Sequence, residues 1–513
     1  MNKHIEHSIE SREFKDLRFD WYSLLNAEWF NELEDEVINH IETNRLSTRG
    51  LSKERKILRD QTERFAFKQI ISALYQAYFT LPIESKTVSI PLKEREYIGS
   101  RFSHTAVSNV FRALLDLNLI KHIEGQQGKF ITRMYPNKRL ELFFESIGLR
   151  WVKQQPSPLE NLVYLRDLKY PNSKNPKQRK KKIDIPVPDT EQVLRARQNL
   201  YNINRVITEH CISLDLSDAQ LIQLTNIMAR RKTDENGNQI EDEDSARKLN
   251  LFNVQLRRIF SRGSLEKGGR FYGGWWQGLP SLYRPHILID GYKVAEVDYG
   301  TISLRILYAQ RGIDVPLDQD LYNIGLADWQ GKDDPRRDSI KTYINAALND
   351  ELDYYKLRDE DQEATGLTHE QLKEMVANAH KPIADLFNTG IGLDTQYIDS
   401  KIAEQVMLRM ADEGHVVLPI HDSFIVRLGY EYRLREVMLE VFKEVVGKEG
   451  LVSADYPRLK QHFGLMQEII DYENDDPSVG VVDLSSMGIE FFLETIMTRF
   501  VDTYILNEQS SFS

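Results

Sequence analysis

The hydrophobic and polar positions along the chain change their period abruptly near residue 300. Residues 293–299 alternate with the short period of a strand and are rich in valine. Gly300 interrupts this pattern, and from Ile302 apolar residues recur at helical spacing until Gly312. Asp298 is therefore predicted to lie where a buried strand ends and a helix begins, with its carboxylate at the rim of a sheet.

A second aspartate, Asp422, lies between two apolar segments that predict the strands of a hairpin. Residues 416–420 form the first segment, and apolar positions alternate in the second segment, residues 423–428. Carboxylates at neighbouring strand ends of one sheet can hold two divalent cations about 3.5 to 4 Å apart, as in-line phosphoryl transfer requires. The alternative is that each aspartate only caps a turn.

An apolar stripe at helical spacing predicts a helix over residues 337–349, between the two aspartates. Arg337, Lys341 and Asn345 lie on a face that adjoins this stripe. Two cations one turn apart on a helix can hold a triphosphate and offset the charge of the departing pyrophosphate. The alternative is a solvated pair of surface cations.

The N-terminal part of the chain shows a separate organisation. Residues 1–51 carry aromatic and acidic residues at helical spacing, which predicts a helical N-terminal extension. Residues 52–150 predict a winged-helix module, in which Ser103 caps a helix over residues 105–117 and a β-wing follows. The pattern leaves open whether this module binds DNA or a protein such as a helicase or a small accessory protein.

A basic segment separates this module from the remaining chain. Residues 169–182 are rich in lysine and contain no acidic residue, which predicts a mobile basic linker over about residues 166–188. Such a linker either holds a template phosphate backbone or serves as a solvated spacer. Residues 189–513 then form the core, which begins with helices over residues 189–265. Its order of strand, helix, hairpin and helix predicts an α+β fold.

Composition limits the class of protein. The chain has 513 residues, of which 41% are hydrophobic, so it can form two or three domains with ample cores. It has no apolar run of membrane-spanning length and no apolar signal segment, so a cytoplasmic protein is expected. Its one cysteine, Cys211, excludes an internal disulfide framework. The net charge of −11 argues against coating of nucleic acid by bulk charge, but it allows a local basic groove beside an acidic metal site.

Four short sequence segments resemble the motifs of a known family. DYGTISLRIL, which begins at Asp298, resembles motif A of the A-family DNA polymerases, and IHDSF, which contains Asp422, resembles motif C. Arg337 and Lys341 are spaced as in motif B, and GGRFYG with WWQGLPSLYR resembles the segment before motif A. The words follow the family's order over about residues 250–450. Their spelling resembles that of compact polymerases of mobile elements and phages, some of which act as primases.

The resemblance implies a right-hand polymerase fold of palm, fingers and thumb behind the winged-helix module. It implies that Asp298, Asp422 and the Tyr299 carbonyl bind two Mg²⁺ ions. It also implies that Arg337 and Lys341 hold the phosphates of an incoming nucleoside triphosphate. The implied substrates are nucleoside triphosphates together with a DNA primer-template or single-stranded DNA, and no membrane is involved.

The remaining site residues follow from their places in the same words. Ser303, Asn345 and Tyr299 are expected in the nucleotide site, together with Arg337 and Lys341. The residues expected to contact nucleic acid are Arg270, Gln277, Arg284, Arg305 and His421.

Three departures from the family pattern change the expected activity. Ser303 stands where the family has a glutamate that excludes the ribose 2′-hydroxyl, so weak sugar discrimination and primer synthesis from ribonucleotides are expected. Asn345 and Asn349 replace the aromatic pair expected after the motif B lysine, which favours low fidelity. Ser423 replaces the second carboxylate of motif C, which leaves two acidic ligands rather than three.

Three functions are compatible with these residues. The first is a template-dependent DNA polymerase, or primase-polymerase, that serves replication of a mobile element or phage. The second is a single-subunit RNA polymerase-like enzyme, which Ser303 and the HDSF word favour. The third is a non-catalytic, DNA-binding replication initiator whose working part is the winged helix. Extension of a primer separates the first two functions from the third.

Overall fold

The computed structural model shows a mixed α+β protein. It describes residues 17–18, 28–45, 52–80, 87–90, 92–94, 103–125, 132–148, 154, 156–169, 181–229, 249–351 and 355–455. The C-terminal residues 456–513 lie outside the described residues. Every helix within the described ranges is too short or too polar to cross a lipid bilayer.

The secondary structure alternates between helical and strand segments. The α-helices are α1 Asn31–Thr43, α2 Lys53–Tyr78, α3 His104–Asp116, α4 Lys138–Ile147, α5 Glu191–Glu209, α6 Asp218–Ala229, α7 Ile302–Gln310, α8 Arg337–Asn349, α9 Asp359–Thr365, α10 His369–Ala379, α11 Gly392–Asp412 and α12 Glu431–Val446. The strands are β1 Leu17–Arg18, β2 Val88–Ser89, β3 Ile120–Ile123, β4 Arg133–Pro136, β5 Val163–Lys169, β6 Lys181–Ile185, β7 Ile212–Leu214, β8 Arg257–Ser261, β9 Ser264–Tyr272, β10 Ile287–Ile289, β11 Tyr292–Tyr299, β12 Val417–Ile420, β13 Ser423–Arg427 and β14 Val452–Asp455. Short 3₁₀ helices occupy Glu28–Phe30, Leu159–Asn161, Trp275–Gly278, Ser281–His286, Gly331–Asp333 and Lys381–Leu386.

The described strands form three sheets. An N-terminal sheet has the order β1-β2-β4-β3, and a middle sheet has the order β6-β5-β8-β9. The third, here called the central sheet, has the order β12-β13-β11-β10-β7, and β14 also pairs with β11. Because β11 pairs antiparallel with β13, the strand that carries Asp298 lies directly beside the strand that follows Asp422.

The strand and helix around Asp298 form as the sequence pattern predicts. β11 ends at Tyr299 and α7 begins at Ile302, which confirms the predicted change of period. Gly300 permits the close approach of the β14 end, because a Cβ at this position would lie 2.7 Å from the Leu451 side chain. The Gly300 nitrogen also donates to the Leu451 carbonyl at 2.8 Å. The strand end that carries Asp298 is therefore fixed from both sides.

Separate apolar cores support the central sheet and the N-terminal module. The largest core surrounds the central sheet and contains Trp276, Val297 and Phe424, which are fully buried. A second core joins α1, α2 and α3 and extends to Phe252, whose ring lies 5.5 Å from that of Tyr75. A third core packs α7 against α8 and α10. The N-terminal helices are thus anchored on the chain segment that leads into the middle sheet.

The N-terminal module contains the elements that its pattern predicts, with small shifts. Ser103 caps α3, because its side chain accepts a hydrogen bond from the Ala106 nitrogen. β3 and β4 pair antiparallel after this helix, where the wing was expected. The assignment of these elements to a winged helix, and the choice between DNA and protein as its partner, stay predictions.

The strands β5 and β6 differ from the predicted linker over residues 166–188. Residues 165–169 pair antiparallel with residues 181–185, and β5 also pairs with β8. The lysine- and proline-rich composition predicted an extended spacer, but ladder hydrogen bonds hold both of its ends in the middle sheet. Residues 170–180 between the strands lie outside the described residues.

A buried ion pair stabilises the N-terminal module. The Glu63 carboxylate lies 2.6 Å from Arg45 Nη2 and accepts a hydrogen bond from Asn109 Nδ2 at 2.9 Å. Glu63 is only 1% exposed. We expect Glu63→Ala to destabilise this module by about 3–5 kcal/mol, because the Arg45 charge would lose its buried partner. Hydrogen–deuterium exchange in α2 and α3 should increase accordingly.

The matched control is Glu42→Ala, which removes a half-exposed partner of the same arginine, 3.1 Å away. Solvent screens this second ion pair, so its loss should cost less than about 1 kcal/mol. Equal exchange in both variants would show that the buried pair does not hold the module together.

Candidate active site

Asp298 and Asp422 lie side by side at one end of the β11–β13 strand pair. Asp298 is the Cα partner of Ser423, and the Tyr299 nitrogen donates to the Asp422 carbonyl at 3.2 Å. The turn before β13 is tight, since His421 adopts a positive φ of 58°. The register therefore brings the two predicted metal-binding aspartates to the same rim of the central sheet.

The two aspartates influence each other electrostatically. Burial, followed by the negative charge of Asp422, raises the pKa of Asp298 to about 7. Lys341 and Lys332 act in the opposite direction, and Glu296 adds to the increase. Burial and the neighbouring carboxylates thus disfavour the charged form of Asp298, and a bound cation would favour it.

The donor set fits magnesium. Carboxylate oxygens are the hard ligands that Mg²⁺ prefers, and this ion usually needs only one or two of them because it keeps water and binds substrate phosphates. In the part of the chain that the structure describes, no three His, Cys, Asp or Glu side chains are grouped as a complete metal site. Asp298 and Asp422 would therefore hold the metal as a pair, and the Tyr299 carbonyl stays a predicted further ligand.

The raised pKa predicts a pH-dependent effect of magnesium. Without a divalent cation, the Asp298 carboxyl adds stability below its ordinary pKa of 3.8, and this stability is lost as the pH rises through about 7. Magnesium competes with the same proton, so its affinity should fall below about pH 7. We expect Mg²⁺ to raise the melting temperature more at about pH 8 than at about pH 6. An equal increase at both pH values in wild type would contradict this assignment, and Asp298→Asn should remove the difference.

Helix α8 brings the predicted phosphate-binding side chains to this rim. Its bounds match the predicted range, and Lys341 is exposed and close enough to lower the pKa of Asp298. Arg337 is half-buried, with its guanidinium 4.7 Å from the centre of the Tyr322 ring and its Nε donating to Asp320 at 3.4 Å. Lys341 is thus placed for a ligand at the aspartates, whereas Arg337 is anchored by its neighbours.

Tyr322 is a site residue that the sequence did not predict. Burial raises its pKa to about 12, Arg337 acts against this increase, and Asp422 and Asp298 add to it. The Tyr322 ring thus contacts Arg337 and lies within electrostatic reach of both aspartates. It lies between α7 and α8, where no periodic pattern marks it, so only the tertiary structure reveals it.

Arg270 lies within electrostatic reach of Asp422 and is paired with Asp399. Its guanidinium donates to Asp399 at 2.7 Å, and both side chains are largely buried. Burial raises the pKa of Asp399 to about 7, although Arg270 opposes this effect. Arg270 was expected to contact a primer-template, whereas the structure shows it bound to a carboxylate. Asp399 lies on the buried face of α11. An acidic residue on the apolar face of a helix indicates a buried partner, so the sequence contained a signal for this pair.

Gln277 and Arg305 make hydrogen bonds within the protein, and their predicted contacts with nucleic acid stay predictions. Gln277 Nε2 donates to the Phe271 and Pro419 carbonyls, so it ties the segment before β11 to the hairpin. Arg305 is 4% exposed and donates to the Val315 and Pro316 carbonyls. The helical pattern around Arg305 did not indicate that this residue is buried. In the structure, Arg305 holds the loop that follows α7.

The remaining predicted residues lie around the rim with different degrees of exposure. His421 is exposed, and its ring lies 5.9 Å from that of Tyr272. Arg284 is partly buried and pairs with Glu296 at 2.9 Å. Ser303 is half-buried in the first turn of α7, and Asn345 is exposed on α8. Their assignments to nucleotide or nucleic acid stay predictions.

Comparisons with known proteins give weak structural similarity but no match in sequence. No protein-family model matches the sequence, and no curated protein matches it. Among solved structures, the chain is similar to the POL domain of Pol1 from M. smegmatis in complex with DNA primer-template and dNTP. The TM-score is 0.32 at 12% sequence identity, over 51% of this chain and 69% of that chain. A likeness of this size does not assign the chain to a family.

Proposed function

We propose that this protein is a nucleotidyltransferase that extends a nucleic acid strand on a template, as a DNA polymerase with relaxed sugar discrimination. The observation that carries the proposal is the position of Asp298 and Asp422 at one sheet rim, where they repel each other and Lys341 lies within electrostatic reach. Two carboxylates and a neighbouring cation suit a reaction in which a metal-bound triphosphate is attacked by a hydroxyl group.

Each part of the site has a defined task in this proposal. Asp298 and Asp422 hold two Mg²⁺ ions, which when bound lower the pKa of a primer hydroxyl and neutralise the triphosphate. Lys341 binds the phosphates of the departing pyrophosphate. Arg337, one turn earlier on the same helix, adds a second positive charge for these phosphates. Arg270, which is held by Asp399, offsets part of the negative charge of Asp422.

In this proposal, the sugar and the base of the incoming nucleotide are selected less strictly than in a replicative enzyme. Ser303 is short and neutral, so it leaves room for a ribose 2′-hydroxyl. Asn345 offers no aromatic surface for stacking on the new base pair. An enzyme with these properties suits the synthesis of primers in the replication of a mobile element or phage.

The partners in this proposal are nucleoside triphosphates and either a DNA primer-template or single-stranded DNA. The N-terminal module provides a docking surface for a helicase or a small accessory protein, and the whole process takes place in the cytoplasm. These assignments extend the proposed activity and depend on it.

The decisive experiment is an extension assay on a primed and an unprimed DNA template, each supplied with dNTPs or NTPs in the presence of Mg²⁺. Extension of the primer by wild type supports the proposal, and products on the unprimed template identify a primase. Products from NTPs alone favour the single-subunit RNA polymerase-like alternative. No incorporation under any of these conditions would leave a non-catalytic DNA-binding protein as the better interpretation.

A further inference from the structure

Glu296 lies beside the place where the motif C carboxylate is absent. Side chains two residues apart on a strand point to the same face, so Glu296 and Asp298 share one side of β11. Across the strand pair, Ser423 is the Cα partner of Asp298, and Ile425 is that of Glu296. The Ser423 hydroxyl donates to Glu296 Oε1 at 2.6 Å, which is a diagonal contact between the two strands.

We propose that Glu296 places a third negative charge beside the two-aspartate cation site, in place of the carboxylate that Ser423 lacks. The inference rests on the proposed function, since it assigns a role in the same site. Glu296 is a positioning residue here, because it acts on the ion through its charge and through Ser423. Its side chain retains partial exposure of 19%, so its charge is not sealed inside the core.

The contacts of Glu296 place its carboxylate at the rim that carries the aspartates. Its Oε1 accepts from the hydroxyl of Ser423, which directly follows Asp422 and is the Cα partner of Asp298. Arg284 Nη1 lies 2.9 Å from Glu296 Oε1, the oxygen that also accepts from Ser423. Glu296 is therefore held in a fixed position at the rim rather than extended into solvent.

A purely structural role for Glu296 makes a different prediction. If Glu296 only joins β11 to Arg284 and Ser423, its replacement should change stability but not the affinity for a cation. A glutamine at this position keeps an acceptor oxygen and nearly the same shape, while it removes the charge. The cation affinity of the folded Glu296→Gln protein therefore separates the two roles.

The test measures Mn²⁺ binding to the full chain by electron paramagnetic resonance, without nucleic acid or nucleotide. Glu296→Gln should weaken Mn²⁺ binding by about tenfold or more, as the loss of a group around the ligands usually does. The exchange variant Glu296→Ser/Ser423→Glu conserves the total side-chain volume and returns a carboxylate to the same strand pair. Its Mn²⁺ affinity should recover to within about threefold of wild type, if charge at this place is what the ion requires.

The outcomes distinguish this inference from the proposed function. Unchanged Mn²⁺ affinity in Glu296→Gln would overturn the role of Glu296 and leave the two-aspartate site intact. No Mn²⁺ binding by wild type would overturn both. If Glu296→Gln does not fold, the exchange variant decides between the two roles. Wild-type Mn²⁺ affinity in the exchange variant supports the inference, and a tenfold loss of Mn²⁺ affinity in the folded exchange variant overturns it. Asp290→Asn, which changes an exposed acid at the opposite end of β11, should bind Mn²⁺ as wild type does.

Discussion

Asp298→Asn and Asp422→Asn should each lower template-directed incorporation by about a thousandfold or more, which corresponds to about 4 kcal/mol of transition-state stabilisation. Asparagine keeps the shape of aspartate but provides neither the charge nor the second anionic oxygen that a magnesium ion requires. Steady-state extension of a labelled primer measures the loss. The two variants should be about equally impaired, because both carboxylates serve the same ions.

The Asp298 variant should lose activity without losing stability. Its carboxyl is buried and repelled by Asp422, so replacement by a neutral amide removes an unfavourable interaction from the metal-free protein. We therefore expect Asp298→Asn to unfold at the same temperature as wild type or at a higher one when no divalent cation is present. A site that is kept for function at a cost in stability behaves in this way.

Asp290→Asn is the matched control for both variants. Asp290 lies just before β11 and accepts from the Cys211 nitrogen at 2.8 Å, far along the strand from the rim. Its replacement should leave primer extension within about twofold of wild type, since surface changes away from a site have small effects. Full activity of either Asp298→Asn or Asp422→Asn would remove the basis for the proposed chemistry.

Local periodicity accounts for how well the sequence predicted the site's framework. The strand before Gly300, the helix after it and the helix over residues 337–349 depend on alternation and helical spacing within short segments. The hairpin around Asp422 depends on two apolar segments and one tight turn. Each of these features is encoded within about 20 residues, so a single sequence is sufficient to predict it.

The side-chain partners of the site could not be predicted in the same way. Arg270 pairs with Asp399 across 129 positions of sequence, and Glu296 bonds Ser423 across 127. Such pairs depend on which strands and helices become neighbours, and no local pattern contains that information. The burial of Arg305 also depends on tertiary neighbours. The sequence predicted that Arg305 contacts nucleic acid, but the fold buries it against the loop after α7.

The predicted linker shows a related failure of composition. Lysine and proline favour extended, solvated chain, and the prediction for residues 169–182 rested on that tendency. Strand pairing depends on a neighbour, however, and β8 provides one for β5 although it lies almost 100 residues further along the chain. Tertiary pairing therefore overrides composition at both ends of this segment.

Ser303→Glu should increase the preference for dNTPs over NTPs by roughly a hundredfold to a thousandfold, or about 3–4 kcal/mol. Ser303 lies in the first turn of α7, just beyond the strand end that carries Asp298. A longer side chain at this point would occupy the space that a ribose 2′-hydroxyl needs in the proposed nucleotide site. The ratio of kcat/KM for matched dNTP and NTP substrates measures the change.

The fold should accept this carboxylate, which makes the test informative. The first turn of α7 contains no acidic residue, and a negative charge near a helix N-terminus is favourable by about 0.3–1 kcal/mol. Ser303→Gln has the same length without the charge, so it separates steric exclusion from repulsion, and Ser303→Ala should leave the ratio unchanged. A wild-type protein that already prefers dNTPs by about a thousandfold would contradict the role of Ser303, because the sugar would then be selected by another residue.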